Sequence, residues 1–106
     1  MVIRKDLNMK KIWVDDVRPM PKNYDIWLRS VTDTIHYLHN FKKDEEFLLD
    51  LDHDAGAYAV LGGDYYKILD WCERQQLNPT VHIHSMNPVG RNRMKLIINR
   101  NNWKEI

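Results

Sequence analysis

A single cysteine, Cys72, is the only thiol among 106 residues, which excludes a disulfide within the chain. Its position inside a helix-like stretch marks it as a buried structural thiol rather than a nucleophile, and it suits a reducing compartment. No stretch approaches the ~20 apolar residues needed to cross a bilayer, and the N-terminus lacks the apolar core of a secretion signal. The expectation is therefore a cytoplasmic protein with no membrane partner. Net charge is also scarce: 16 Lys and Arg against 15 Asp and Glu leave +1. A surface dedicated to long duplex nucleic acid needs a strongly basic balance, so that class is disfavoured. No internal repeat or low-complexity segment is present.

What the chain does have is enough apolar matter for one core. Its 43% hydrophobic content includes 4 Trp, 5 Tyr and 2 Phe. Splitting so short a chain would leave two pieces too small to fold, so residues 9–106 are expected to form a single domain. Residues 1–8, which precede Met9-Lys10-Lys11 and carry no motif, are expected to be an extension without fixed order. The oligomeric state is open, and a homodimer is compatible with the composition. Charges are unevenly placed. Asp44, Glu45, Glu46, Asp50, Asp52 and Asp54 crowd one stretch, whereas Arg91, Arg93, Lys95, Arg100 and Lys104 dominate the last segment. An acidic centre beside a basic helix suits a metal ion and an anion; solvated surface charge is the plainer reading of the basic segment.

Hydrophobic periodicity predicts the elements. Lys11 to Asp16 reads as a short strand ending in two acids, followed by the turn-forming stretch Val17 to Asn23, and Tyr24 to Arg29 as a second strand. Ser30 and Asp33 form a helix start signal for a helix ending near Asn40, with Val31, Ile35 and Leu38 inward. Glu46 to Asp52 reads as a central strand buried on both faces. A glycine-containing connection leads to Asp64, the expected cap of a helix burying Tyr65, Ile68, Leu69 and Cys72. Pro79 to Ser85 gives a fourth strand, and Asn87-Pro88 opens a last helix with Met94, Ile97 and Ile98 inward. The expected fold is an α/β three-layer domain, receiver-like or flavodoxin-like, with a mainly parallel four-stranded sheet in the order 2-1-3-4 and about three helices. The short first connection also leaves an antiparallel hairpin of strands one and two as an alternative.

In such a sheet ligands bind beyond the carboxyl ends of the strands. Three strands end there in polar groups: Asp15-Asp16, Asp52-His53-Asp54 and His84-Ser85. Carboxylates on adjacent strands repel one another unless a cation sits between them, which makes Asp15, Asp16, Asp52 and Asp54 candidate metal ligands, with Mg²⁺ or Mn²⁺ favoured and Zn²⁺ compatible. Each acid alone reads as easily as a turn or cap. Asp52, His53 and His84 are the candidate catalytic residues, the two imidazoles for proton transfer. His82, on the same strand face as His84, reads better as a hydrogen-bonded core residue. Asn87 and Gly90 at a helix start, Ser85, Arg91 and Arg18 form a candidate phosphate seat.

Taken in order, Val14-Asp-Asp-Val-Arg-Pro-Met-Pro21, Leu51-Asp-His-Asp-Ala-Gly56 and Val81-His-Ile-His-Ser-Met-Asn-Pro-Val-Gly-Arg91 resemble the cyclic-phosphate-processing receiver-like domain family, over roughly residues 10 to 98. The resemblance implies a reduced response-regulator receiver fold. It matches Asp15 and Asp16 to an acidic metal-binding pair, Asp52 to the receiver's acidic strand end, and Ser85 to the hydroxyl after strand four. His53, Asp54, His84, Asn87 and Arg91 match features that set the family apart from ordinary receivers. The implied activity is metal-assisted processing, in effect hydrolysis, of a cyclic phosphate. The implied partner is a phosphorylated small molecule, a nucleotide or an RNA end. No fifth strand ending in the receiver lysine is evident. Two other readings stand beside this one: a non-catalytic cyclic-nucleotide or phosphate sensor, and a receiver-like interaction module phosphorylated on Asp52.

Overall fold

Four short apolar segments pair into one sheet in the computed structural model, which describes residues 9–106: Lys10–Val14 (β1), Ile26–Leu28 (β2), Phe47–Leu51 (β3) and Thr80–Ile83 (β4). The expected extension over residues 1–8 lies outside the described residues. The strand order is β2-β1-β3-β4 and every pair is parallel, so the hairpin alternative for β1 and β2 does not hold. The extended, proline-containing connection after Asp16 runs back the length of β1 without a helix. Beyond β4, the tail adds one parallel bridge, Val81 to Glu105, with Val81 N–H donating to Lys104 O and Ile106 N–H to Val81 O.

Three helices follow: Val31–Leu38 (α1), Tyr66–Gln75 (α2) and Pro88–Arg100 (α3), with a 3₁₀ turn at Gly56–Val60. Two of them, α1 and α3, start on a side-chain cap. Ser30 caps α1, its hydroxyl accepting from Asp33 N–H at 3.0 Å. Asn87 caps α3 through the N–H groups of Val89 and Gly90, with Pro88 in the first turn. The expected Asp64 cap of α2 is corrected. Tyr65 holds the cap position without a side-chain capping bond, and Asp64 Oδ1 instead accepts from Ala55 N–H at 3.3 Å, tying down the start of the 3₁₀ turn.

The register sorts side chains into rows. Ile26, Ile12, Leu49 and Val81 align across the sheet, as do Leu28, Val14, Leu51 and Ile83. The central members of these rows join Val31 and Leu38 of α1, Ile68, Leu69 and Cys72 of α2, and Met94, Ile97 and Ile98 of α3 in one cluster. Trp27, Trp13, Asp50 and His82 form the row of opposite orientation. Trp13 and Leu48, though buried, belong to this second face and lie outside that cluster. The expectation of helices on both faces is therefore corrected. All three helices share one face, because right-handed crossovers that always advance in the same direction along the sheet stay on one side. The other face is covered by irregular chain: Trp13 Nε1–H donates to Arg18 O at 2.8 Å, and Tyr24 meets Trp13 edge-on at 5.5 Å.

Replacing Ser30 by Ala removes the α1 cap at a buried position. The expected loss is about 1 kcal/mol, read as a lower urea midpoint with an unchanged m-value.

Candidate functional site

Period-two alternation puts Trp13 and Asp15, Asp50 and Asp52, and His82 and His84 on the face that carries no helix. The imidazole of His84 lies between two carboxylates, with Nε2 2.8 Å from Asp15 Oδ2 and Nδ1 2.7 Å from Asp50 Oδ1. Trp13 stacks on that ring at 4.0 Å with the planes 4° apart. Asp15 is fully buried, and its Oδ1 accepts from Val17 N–H at 2.9 Å and Arg18 N–H at 2.7 Å. Asp50 is 2% exposed. Its Oδ1 also pairs with His82 Nδ1 at 2.9 Å, and its Oδ2 accepts from the Tyr24 hydroxyl.

The electrostatics follow from these contacts. Burial alone would raise the Asp15 carboxyl, but the N–H groups of Arg18 and Val17, together with His84, outweigh it and hold the group below its ordinary value. Burial likewise opposes the charged form of Asp50, and bonds from His84, Tyr24 and His82 bring it below the usual carboxylate range. His84 is raised, because the two carboxylates overcome the burial that would lower it. Asp16 is raised by burial and by the charges of Asp15 and Asp52. Asp15, Asp52 and His84 each offer one ligand atom within 4.8 Å of the others, the one such group among the described residues.

The neighbouring residues on the other side are arranged differently. His53 packs on Gly90 so closely that a Cβ there would fall inside the imidazole. Its buried Nδ1 has no partner among the described residues. Asp16 lies against Gly56, whose φ of +56° and lack of a Cβ permit the approach. Asp54 Oδ1 accepts from Gly56 N–H at 2.8 Å, and Asp52 Oδ1 accepts from His53 N–H at 2.8 Å. At the start of α3 the Asn87 side chain already takes the N–H groups of Val89 and Gly90, while Ser85 Oγ accepts from Asn87 N–H at 3.1 Å. Arg91 Nη1 donates to Ile83 O and Ser85 O, both at 3.1 Å, and Arg18 Nη1 reaches His84 O at 3.5 Å. A groove of about 280 Å³ lies at the opposite end of the strands, lined by residues that include Lys11, Tyr24, Thr80 and Lys104, and meets the site only through Tyr24.

Against family models, residues 10–100 match the cyclic-phosphate processing receiver domain. The chain belongs to that family. No curated protein and no solved structure matches it. In this receiver domain the residues singled out from sequence separate into two neighbouring groups. Asp15, Asp52 and His84 converge on the helix-free face. His53, Ser85, Asn87, Gly90 and Arg91 gather around the start of α3, with Asp16 and Asp54 beside Gly56. Asp50 was not among them. A lone acid in the apolar run of β3 looks like an interruption, yet its two-residue spacing from Asp52, matched by that of His82 and His84, was the available signal.

Two outcomes are expected. Raised His84 stabilises the fold below about pH 6.5, its ordinary value, and that contribution is lost as pH rises through its raised pKa. Lowered Asp15 and Asp50 stabilise above about pH 4 and lose this as pH falls through their lowered values. Urea midpoints in chelator should therefore peak between these limits and fall on both sides. Gly90→Ala should displace His53 and cost about 1–3 kcal/mol by overpacking, seen as a lower midpoint together with shifted His53 ring resonances.

Proposed function

We propose that this domain hydrolyses a cyclic phosphate carried by a nucleotide or an RNA end, with a divalent metal ion held by Asp15, Asp52 and His84. The observation that carries the reading is the convergence of two carboxylates and an imidazole at the strand ends, in a chain of the cyclic-phosphate processing family. The donor set fits such an ion, since three protein ligands is the usual complement of a catalytic centre. One nitrogen beside two oxygens moves the preference from Mg²⁺ toward Mn²⁺ or Zn²⁺. When bound, the ion supplies Lewis acidity toward a phosphate oxygen.

The remaining roles fall to the chain's own groups. His84 is taken up by Asp50 on one ring nitrogen and by the metal group on the other, whereas His53 Nδ1 has no partner among the described residues. His53 is therefore the residue that passes the proton: water adds to phosphorus, one ring P–O bond breaks, and the departing oxygen is protonated. Arg91 uses one nitrogen to hold the Ile83 and Ser85 carbonyls, which leaves the rest of its fork for phosphate oxygen, and Arg18 adds charge from the facing loop. A phosphate seated at the start of α3 would take the Val89 and Gly90 N–H groups from Asn87, with Ser85 beside them.

The test is turnover of 2′,3′- and 3′,5′-cyclic nucleotides and of cyclic-phosphate-ended RNA with Mn²⁺, Zn²⁺ or Mg²⁺. The ring-opened monophosphate is expected. His53→Asn should slow its formation by about 10²–10⁴-fold, and Asp52→Asn should weaken metal dependence and rate together. Turnover indifferent to both substitutions sinks the mechanism. Thermal stabilisation by a cyclic nucleotide with no product after prolonged incubation would identify a sensor instead.

A further inference from the structure

The parallel ladders run one residue past the strands. Asp15 N–H donates to Leu28 O, Asp52 N–H to Val14 O and His84 N–H to Leu51 O. In a parallel pair such a bond sets the donor residue opposite the one that follows the acceptor. Arg29, Asp15, Asp52 and His84 therefore stand in one row at the ends of the four strands, continuing the registers of Val14 with Leu28, Val14 with Leu51 and Leu51 with Ile83. The row that carries the grouped ligand atoms begins with a cation on the border strand β2.

Arg29 does not neutralise the acid beside it. Asp15 gives one oxygen to the N–H groups of Val17 and Arg18 and the other to His84. The guanidinium lies instead over the Trp27 ring, its central carbon 4.1 Å from the ring centroid, and Nη1 reaches the Tyr58 hydroxyl at 3.4 Å. Among the described residues it has no carboxylate partner, and Arg29 is exposed. Trp27 is anchored in turn, its Nε1–H donating to Asp15 O at 2.8 Å. One face of the guanidinium is thus spent on an indole fixed to the site, and the opposite face is left for a ligand. A guanidinium plane held in this way is a stacking surface for a nucleobase.

We infer that Arg29, held flat by Trp27 and Tyr58 at the β2 end of the site row, stacks on the base of the substrate and restricts the site to cyclic phosphates that carry one. This deepens the proposed function and rests on it for the position of the phosphate. Arg91, Ser85 and the start of α3, which seat phosphate in that reading, follow β4 at the far end of the row. Strands lie about 4.8 Å apart, so the backbone of Arg29 is about 5 Å from that of Asp15 and about 10 Å from that of Asp52. A phosphate at the ligand atoms with its sugar directed toward β2 brings the base to Arg29.

The experiment compares adenosine 2′,3′-cyclic phosphate with glycerol 1,2-cyclic phosphate, the same five-membered ring without a base, on the full chain with Mn²⁺. The wild type should hold the nucleotide about 5–150-fold more tightly, the worth of one stacked base. The Arg29 side-chain N–H resonance should shift with the nucleotide and stay in place with the glycerol compound. Arg29→Gln and Arg29→Lys should both lose most of that preference, since lysine keeps the charge but not the plane, and the loss should fall on KM more than on kcat. Urea midpoints near wild type in both variants separate a lost contact from a lost fold. Equal affinity for the two compounds, a preference that survives Arg29→Gln, or one restored by lysine overturns the inference, the last by making Arg29 a plain charge contact. Should a variant not fold, the wild-type affinities and the Arg29 resonance decide it. A nucleotide that binds with the Arg29 shift but is never opened overturns the hydrolytic reading and leaves the base contact standing, whereas a chain that binds neither compound overturns both.

Discussion

One imidazole holds two buried carboxylates apart. Asp15 and Asp50 are both almost wholly withdrawn from water, on adjacent strands, and His84 lies between them. Removing a single partner from such an arrangement leaves an uncompensated charge in a medium that cannot solvate it, which typically costs about 3–5 kcal/mol. The rest of the helix-free face is organised around that ring. Trp13 is its floor, Asp15 turns its other oxygen to the backbone of Val17 and Arg18, and Tyr24 comes back over Trp13 to reach Asp50. The connection between β1 and β2 is thereby fixed by polar groups rather than by a helix.

That division of labour between the faces explains why so small a chain can build both a core and a polar site. Three helices bury one face with Ile12, Val14, Leu49, Leu51, Val81 and Ile83. The other face is relieved of that duty. A row of Trp13, Asp50 and His82 can run across three strands because loop and side-chain hydrogen bonds and ring contacts, not helices, complete their surroundings. The alternation that assigns Asp15, Asp52 and His84 to this face sends His53 to the other, where only the glycine at position 90 lets α3 approach it.

Strand order, parallel pairing and the inward faces of the helices were legible in the sequence, because periodicity and short connections leave few topologies open. Element ends were less so. Strand two contracts to Ile26–Leu28, and Asp64, read as a helix cap, is drawn to Ala55 by a turn that no local pattern announced. The arrangement of the helices on one side was implicit in the missing first crossover helix but was masked by the expectation of covered faces. At the site, the strand-end acids and His84 were legible as a constellation. Asp50 was not, because its meaning depends on partners contributed by Tyr24, His82 and His84 from other strands and loops. The bonds that Asn87 and Arg91 make within the chain were equally invisible, since a cap and an anion seat share one sequence signature.

The tail past α3 bears on assembly. By pairing through Val81, Lys104 to Ile106 take up hydrogen-bonding capacity on the outer border of β4, and at the opposite border β2 is only three residues long. Among the described residues, neither rim of the sheet presents a long row of unsatisfied amides on which a foreign strand could template itself. Growth of the sheet by addition of a further strand is therefore blunted at both of these margins.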